Sequence, residues 1–281
     1  MRIISKEDFN NFVSSLINDN SLNVIGVKSK GSKFAFGPLD SASELRLDYD
    51  VTLLPPKKYF FPQRETLVTY DANGFAAKDP ADLKPTVIIG VHPYDLVALL
   101  HMDEIFRETK SDPYYFEKRK SSIIIGVNIQ KMSKWCFAPQ MGCATIDYGY
   151  DLMLTDLGNR YAINVGSQKG EALLDKYAKN VTDAFARDIQ LVGQKKQEIV
   201  NMSQQKFDFP TELIPEMLSK TYDQSGFWDK HSEKCLACGS CVLVCPTCYC
   251  FDVTRFAYPE QTSQAVFFLG TELHGTNSGL E

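Results

Sequence analysis

Residues 235 to 250 read Cys-Leu-Ala-Cys-Gly-Ser-Cys-Val-Leu-Val-Cys-Pro-Thr-Cys-Tyr-Cys, and no other stretch restricts the folding and chemistry of this chain as tightly. Cys235, Cys238, Cys241, Cys245 and Pro246 have the C-x2-C-x2-C-x3-C-P spacing that holds a cubane iron–sulfur cluster. Thiolates spaced in this way on a tight loop can point at separate corners of one cluster. Ala237, Gly239 and Ser240 are small enough for the backbone to wrap inorganic sulfide and aim N–H groups at it, and Pro246 ends the loop. The expected cofactor is one [4Fe-4S] cluster. Cys235, Cys238, Cys241 and Cys245 are its expected ligands, and electron transfer is its chemistry.

The fourth ligand leaves alternatives open. In two-cluster ferredoxins the fourth cysteine of such a run serves the other cluster, whose remaining ligands come from a second copy of the motif. No second copy occurs, and no cysteine follows Cys250. Cys245, Cys248, Cys250, Cys136 and Cys143 are therefore all candidates to complete the first cluster. Structural zinc competes less well, because a zinc ribbon wants a long gap between its C-x2-C pairs, and here they nearly touch. Disulfides fit worse: six cysteines crowd into sixteen residues, and Met1 to Asp8 lacks the apolar stretch of a secretory signal. Cys248 and Cys250 suit a spectator role as well as ligation, since buried free cysteine is common.

With 281 residues, 44% hydrophobic and 23% charged, the chain is long enough for a sizeable core in one large or two small domains. Its net charge of -5 gives no reason to propose a nucleic-acid partner. No run approaches the length of a membrane span. A reducing, cytoplasmic setting is expected, in which thiols stay available for a cluster.

Periodicity along the chain predicts a mixed α/β architecture. Residues 5 to 18 read as a helix capped by Ser5, with Phe9, Phe12, Val13, Leu16 and Ile17 on one face. Val24–Val27 and Lys33–Phe36 read as a hairpin. The prolines of Pro55-Pro56-Lys57-Lys58-Tyr59-Phe60-Phe61-Pro62-Gln63 argue for an extended surface loop, and a packed loop accounts for this basic, aromatic stretch better than a docking surface for a partner subunit. Thr86–Val91 and Ile123–Val127 are continuous apolar runs, as buried parallel strands are, with a helix opened by Pro93 between them. This β-α-β unit implies an α/β core, with His92 and Asn128 at the strand ends where open sheets bind ligands. The simpler reading makes them hydrogen-bonded loop residues. Leu152–Thr155 and Tyr161–Val165 form a second expected hairpin, 169–204 reads as helical with Ala172, Leu173, Tyr177, Val181, Phe185, Ile189 and Val192 inward, and Phe209–Leu218 as a further helix toward the cysteines. Lys118-Arg119-Lys120 reads as solvated surface able to steer an acidic partner.

Several strings together resemble the beta subunits of cytoplasmic nickel–iron hydrogenases of the sulfhydrogenase type. They also resemble the corresponding subunit of anaerobic sulfite reductase, in the same 4Fe-4S dicluster family. The strings are Ile89-Gly90-Val91-His92-Pro93-Tyr94-Asp95-Leu96, Asp112-Pro113-Tyr114-Tyr115, Gly126-Val127-Asn128, Gly149-Tyr150-Asp151-Leu152-Met153-Leu154-Thr155-Asp156-Leu157-Gly158, Val165-Gly166-Ser167-Gln168-Lys169-Gly170 and the run from Cys245 to Val253. The resemblance covers roughly residues 50 to 253. It implies an electron-wiring subunit that links a flavin/NAD(P) subunit to the catalytic subunit of a hydrogenase or sulfite reductase. Such a chain is an electron-transfer component rather than a stand-alone enzyme. It departs where family members often carry two cysteines: here Cys136-Phe137-Ala138 stands, with Cys143 displaced. It departs again after Asp252, where family members continue into a second cysteine motif.

The expected organisation is an α/β (α+β) domain over 1–205 and a ferredoxin-like cluster segment over 206–253, half of a two-cluster domain if the second motif is missing. A tail without family resemblance follows over 254–281. Two other functions compete with electron transfer. One is a non-redox docking subunit with a structural metal or none. The other is a small-molecule site near His92, Asp95 and Asn128, for which no nucleophile–base pair is recognisable.

Overall fold

In the computed structural model, which describes residues 1–71, 74–77, 83–108, 111–224, 226–257 and 264–270, strand β1 (Arg2–Ser5) runs straight into helix α1 (Lys6–Ile17). Ser5 makes the transition: its backbone is extended, and its Oγ accepts the Asp8 N–H at 3.0 Å, satisfying one of the unpaired donors of the first turn. Phe9, Phe12, Val13 and Leu16 form the buried stripe of α1, as their spacing predicts. The hairpin of β2 (Asn23–Lys30) and β3 (Lys33–Pro38) turns at Gly31, whose φ of +60° is open to glycine. Strands β4 (Arg64–Asp71) and β5 (Gly74–Ala77) follow, then β6 (Thr86–Val91), α2 (Pro93–Glu108), α3 (Pro113–Ser121) and β7 (Ser122–Val127). After a long loop come β8 (Leu152–Asp156), β9 (Arg160–Val165), α4 (Gln168–Tyr177), β10 (Thr182–Asp183) and α5 (Ala186–Asn201). The C-terminal part holds α6 (Ile214–Thr221), α7 (Phe227–Ser232), α8 (Ser240–Val244), β11 (Phe251–Ala257) and β12 (Gln264–Gly270).

The main sheet has eight strands in the order β10-β1-β9-β8-β7-β6-β2-β3. Its centre, β2-β6-β7-β8, is parallel, and antiparallel strands complete both sides. Val87, Ile88, Ile89 and Val91 of β6 and Ile125 and Val127 of β7 are fully buried, which explains their unbroken apolar runs. The mixed α/β class and the β-α-β unit are as expected. A second sheet, β11-β12-β4-β5, joins the chain after the cysteine run to residues near position 70.

Backbone packing explains the string Val165 to Gly170. A Cβ on Gly166 would stand 2.3 Å from the Tyr150 carbonyl oxygen, and one on Gly170 would stand 2.2 Å from that of Asp151. Glycine is required at both, so that the start of α4 can lie against the chain entering β8. Asp151 secures the same junction by accepting from the Ile124 N–H at 2.7 Å and the Ser167 hydroxyl at 2.5 Å.

Three expectations change. The 169–204 stretch is two helices, α4 and α5, with the short strand β10 between them, and Phe185 and Ile189 are exposed rather than inward. Two of the Lys118-Arg119-Lys120 cations are not solvated surface. Arg119 grips Asp103 with two hydrogen bonds (2.9 and 2.7 Å), and Lys118 pairs with Glu65 at 2.7 Å. Pro55–Gln63 is not an extended surface loop either. Its prolines open a 3-10 turn over Pro56–Tyr59, and Pro56, Lys57, Phe60 and Phe61 are buried.

Candidate metal centre

The cysteine run follows α7, and left-handed residues set its course. Cys235 N–H closes onto Ser232 O at 2.8 Å, ending the helix. Ala237 then takes a φ of +50°, which turns its N–H toward the Cys235 Sγ at 3.4 Å. Gly239, at φ +70°, begins α8, its carbonyl accepting from Val242 and Leu243. Cys241 lies in this helical turn, and the Cys245 N–H returns to the Cys241 carbonyl at 3.2 Å. The small residues between the cysteines are thus the ones that bend the loop and aim an N–H at sulfur.

The surroundings of two thiols favour the thiolate, which is the form that binds metal. The Ser240 hydroxyl, 3.3 Å from Cys238 Sγ, together with backbone N–H bonding, holds Cys238 below the usual thiol value. Burial pushes Cys245 up, but the Thr247 hydroxyl at 3.3 Å, neighbouring backbone donors and the Lys57 ammonium outweigh it, and its net shift is downward. Cys235, Cys238 and Cys241 are exposed, whereas Cys245 is half-buried.

Lys57 belongs to this site although its sequence position does not announce it. Its Nζ donates to the carbonyl of Cys245 at 2.9 Å and to that of Cys248 at 2.8 Å, while its own backbone lies in the buried 3-10 turn. Burial lowers its basicity, and the thiols of Cys248, Cys245 and Cys250 offset this in part. Phe61 meets Phe251 edge-on nearby, with ring centroids 6.2 Å apart. The one sequence signal is a lysine set between Pro55-Pro56 and Tyr59-Phe60-Phe61, where a solvated cation has no reason to be.

The other expected residues lie in different surroundings. Cys136 and Cys143 pack with Tyr94 and Met132 around Ile129, Ala138, Ala144 and Ile199, and burial raises the Cys143 thiol. His92 stacks on Tyr49 with centroids 4.0 Å apart, and its Nδ1 lies 2.7 Å from the Tyr94 hydroxyl. Burial holds His92 down to about 3 and pushes Asp95 up to about 7. Asn128 donates to Thr155 Oγ1 at 2.9 Å. This group sits at the ends of the parallel strands as anticipated; it is only partly hydrogen-bonded, since His92 Nε2 and Asn128 Oδ1 are buried without a partner among the described residues.

Among the described residues, no three His, Cys, Asp or Glu side chains gather as the ligands of a metal ion do. A cubane spreads its ligands over separate corners, so its thiolates need not meet at a point. The donor set fits such a cluster: four thiols on a loop bent by Ala237 and Gly239, with an N–H already directed at sulfur.

Comparison with known proteins agrees with this geometry. Residues 229–247, which include Cys235, Cys238, Cys241 and Cys245, match the 4Fe-4S binding domain family. Over 233 residues the chain is 31% identical to sulfhydrogenase 2 subunit beta of Pyrococcus furiosus, an alignment spanning 82% of this chain and 67% of that protein. The chain belongs to the sulfhydrogenase beta-subunit family, as an iron–sulfur protein with a 4Fe-4S cluster.

Proposed function

We propose that the chain is an electron-relay subunit in which Cys235, Cys238, Cys241 and Cys245 hold the [4Fe-4S] cluster. In this reading it carries electrons in the cytoplasm from a flavin/NAD(P)-binding subunit to the catalytic subunit of a hydrogenase or sulfite reductase, or in the reverse direction. The observation that carries it is the matched cysteine loop, set within a chain that aligns with a sulfhydrogenase subunit over most of its length. A cluster bound there takes up and releases single electrons.

The chain's own residues supply the rest. The loop keeps Cys235, Cys238 and Cys241 at the surface, where a partner's cofactor could approach closely enough for electron exchange. Leu236, Tyr222 and Trp228 are exposed around it, as befits a surface covered on assembly. We assign the cluster unit to 206–253, a segment that starts after α5 ends at Asn201 and in which the described residues from 206 to the last cysteine, Cys250, contribute no buried apolar side chain. Anaerobic purification of the native complex through this chain tests the reading. Flavin together with nickel or sirohaem in the purified material is expected, and a complex containing none of these would overturn it.

A further inference from the structure

We infer that Lys57 is a positioning residue for the cluster: it fastens the fourth-cysteine side of the loop to the α/β body, and its charge makes the cluster easier to reduce. The inference rests on the assignment of Cys245 as a ligand. Lys57 lies 188 residues before Cys245 and 191 before Cys248, yet its ammonium bridges both carbonyls. The lysine is only 5% exposed. Among the described residues no carboxylate pairs with it. A buried cation ordinarily needs a compensating negative charge. Here the nearby groups able to supply one are the thiolates of the cysteine run, and the cluster they would hold. Pro55 and Pro56 stiffen the backbone that delivers the side chain, and the Phe61–Phe251 contact closes the same junction.

The charge acts on one electron. Reduction adds an electron from a low-potential donor to the cluster without making or breaking a bond, so the thiolate-held cluster becomes one charge more negative. A cation hydrogen-bonded to the ligand backbone stabilises that form more than the oxidised one, and net charge and hydrogen bonding are what set such potentials.

Three versions of the full-length chain, purified anaerobically, test this: unaltered, Lys57→Gln and Lys57→Arg. Gln keeps an N–H donor without the charge, and Arg keeps both. Iron and labile sulfide are counted first, and the midpoint potential is then read by EPR-monitored titration with dithionite. The expected result is an undiminished cluster in all three. The electron affinity of Lys57→Gln should fall about tenfold, equivalent to 59 mV for a one-electron couple, with Lys57→Arg close to the unaltered chain. An unmoved potential in a fully loaded Lys57→Gln, or an equal fall in Lys57→Arg, overturns the inference. Loss of iron from Lys57→Gln with the α/β body still folded contradicts the undiminished cluster expected here and overturns the inference. Absence of a cluster from the unaltered chain would instead refute the ligand assignment itself, and this inference with it.

Discussion

Cys238 and Cys143 are both free thiols, but their surroundings push them in opposite directions. A hydroxyl and backbone N–H groups favour the Cys238 thiolate, whereas burial disfavours that of Cys143. Cys238→Ser should therefore reduce iron from about four per chain to near none, while Cys143→Ser leaves the count unchanged. Iron analysis of the two purified variants checks this. His92 and Asp95 make a second residue-scale prediction. The fold holds His92 down to about 3 against 6.5. Between those values the unfolded chain binds a proton that the fold refuses, and stability rises with pH. Asp95 is held up at about 7 against 3.8. There the fold keeps a proton that the unfolded chain releases, and stability falls as pH rises. The two effects, of roughly 4 to 5 kcal/mol each, largely offset one another between about pH 4 and 6.5. Urea unfolding should show little pH dependence in the unaltered chain over that window, and a clear rise with pH in Asp95→Asn. At this scale the iron–sulfur motif was legible in the sequence, because metal spacing is local. It did not disclose Lys57, whose partners lie 188 and 191 residues away.

At the scale of elements, local signals were legible where a single helix or strand decides them. Ser5 before α1 and the unbroken apolar runs of β6 and β7 are of this kind. The signals failed where a neighbouring element decides. Lys118 and Arg119 look like surface until Glu65 and Asp103 are brought to them. The prolines of 55–62 exclude a helix interior and suit a packed loop, but do not reveal the 3-10 turn that buries Lys57. Asp112-Pro113 could have marked α3: Asp112 caps it by accepting the Tyr115 N–H at 3.1 Å, with proline at the first position. Two glycines test the packing account. Gly170→Ala drives a methyl against the Asp151 backbone and should cost about 3 kcal/mol. Gly193→Ala, at an α5 position where an added Cβ meets nothing within 4 Å, should stabilise by about 1 kcal/mol. Denaturant midpoints of the two variants give both values.

For the whole molecule, the parallel core was foreseeable, but its borders were not. β1 joins β9 and β10 from opposite ends of the first two hundred residues, and β4 pairs with β12, and such pairings follow from chain topology rather than local sequence. The α/β body buries a large apolar core, whereas α6 to α8 leave Met217, Leu218, Trp228 and Val244 exposed. A segment with so little buried surface depends on metal bonds for its order, as small metal-binding domains do. Removing iron with a chelator should therefore expose 206–250 to proteases and leave the preceding body intact, which mass spectrometry of the fragments would show.

The central claim is that the run from Cys235 to Cys245 holds a cluster competent for electron transfer. The most direct test is to purify the chain anaerobically, count iron, labile sulfide and zinc, and record its EPR spectrum after reduction. About four irons and four sulfides per chain, with a fast-relaxing signal in the reduced state, are predicted. Zinc without sulfide would contradict the claim.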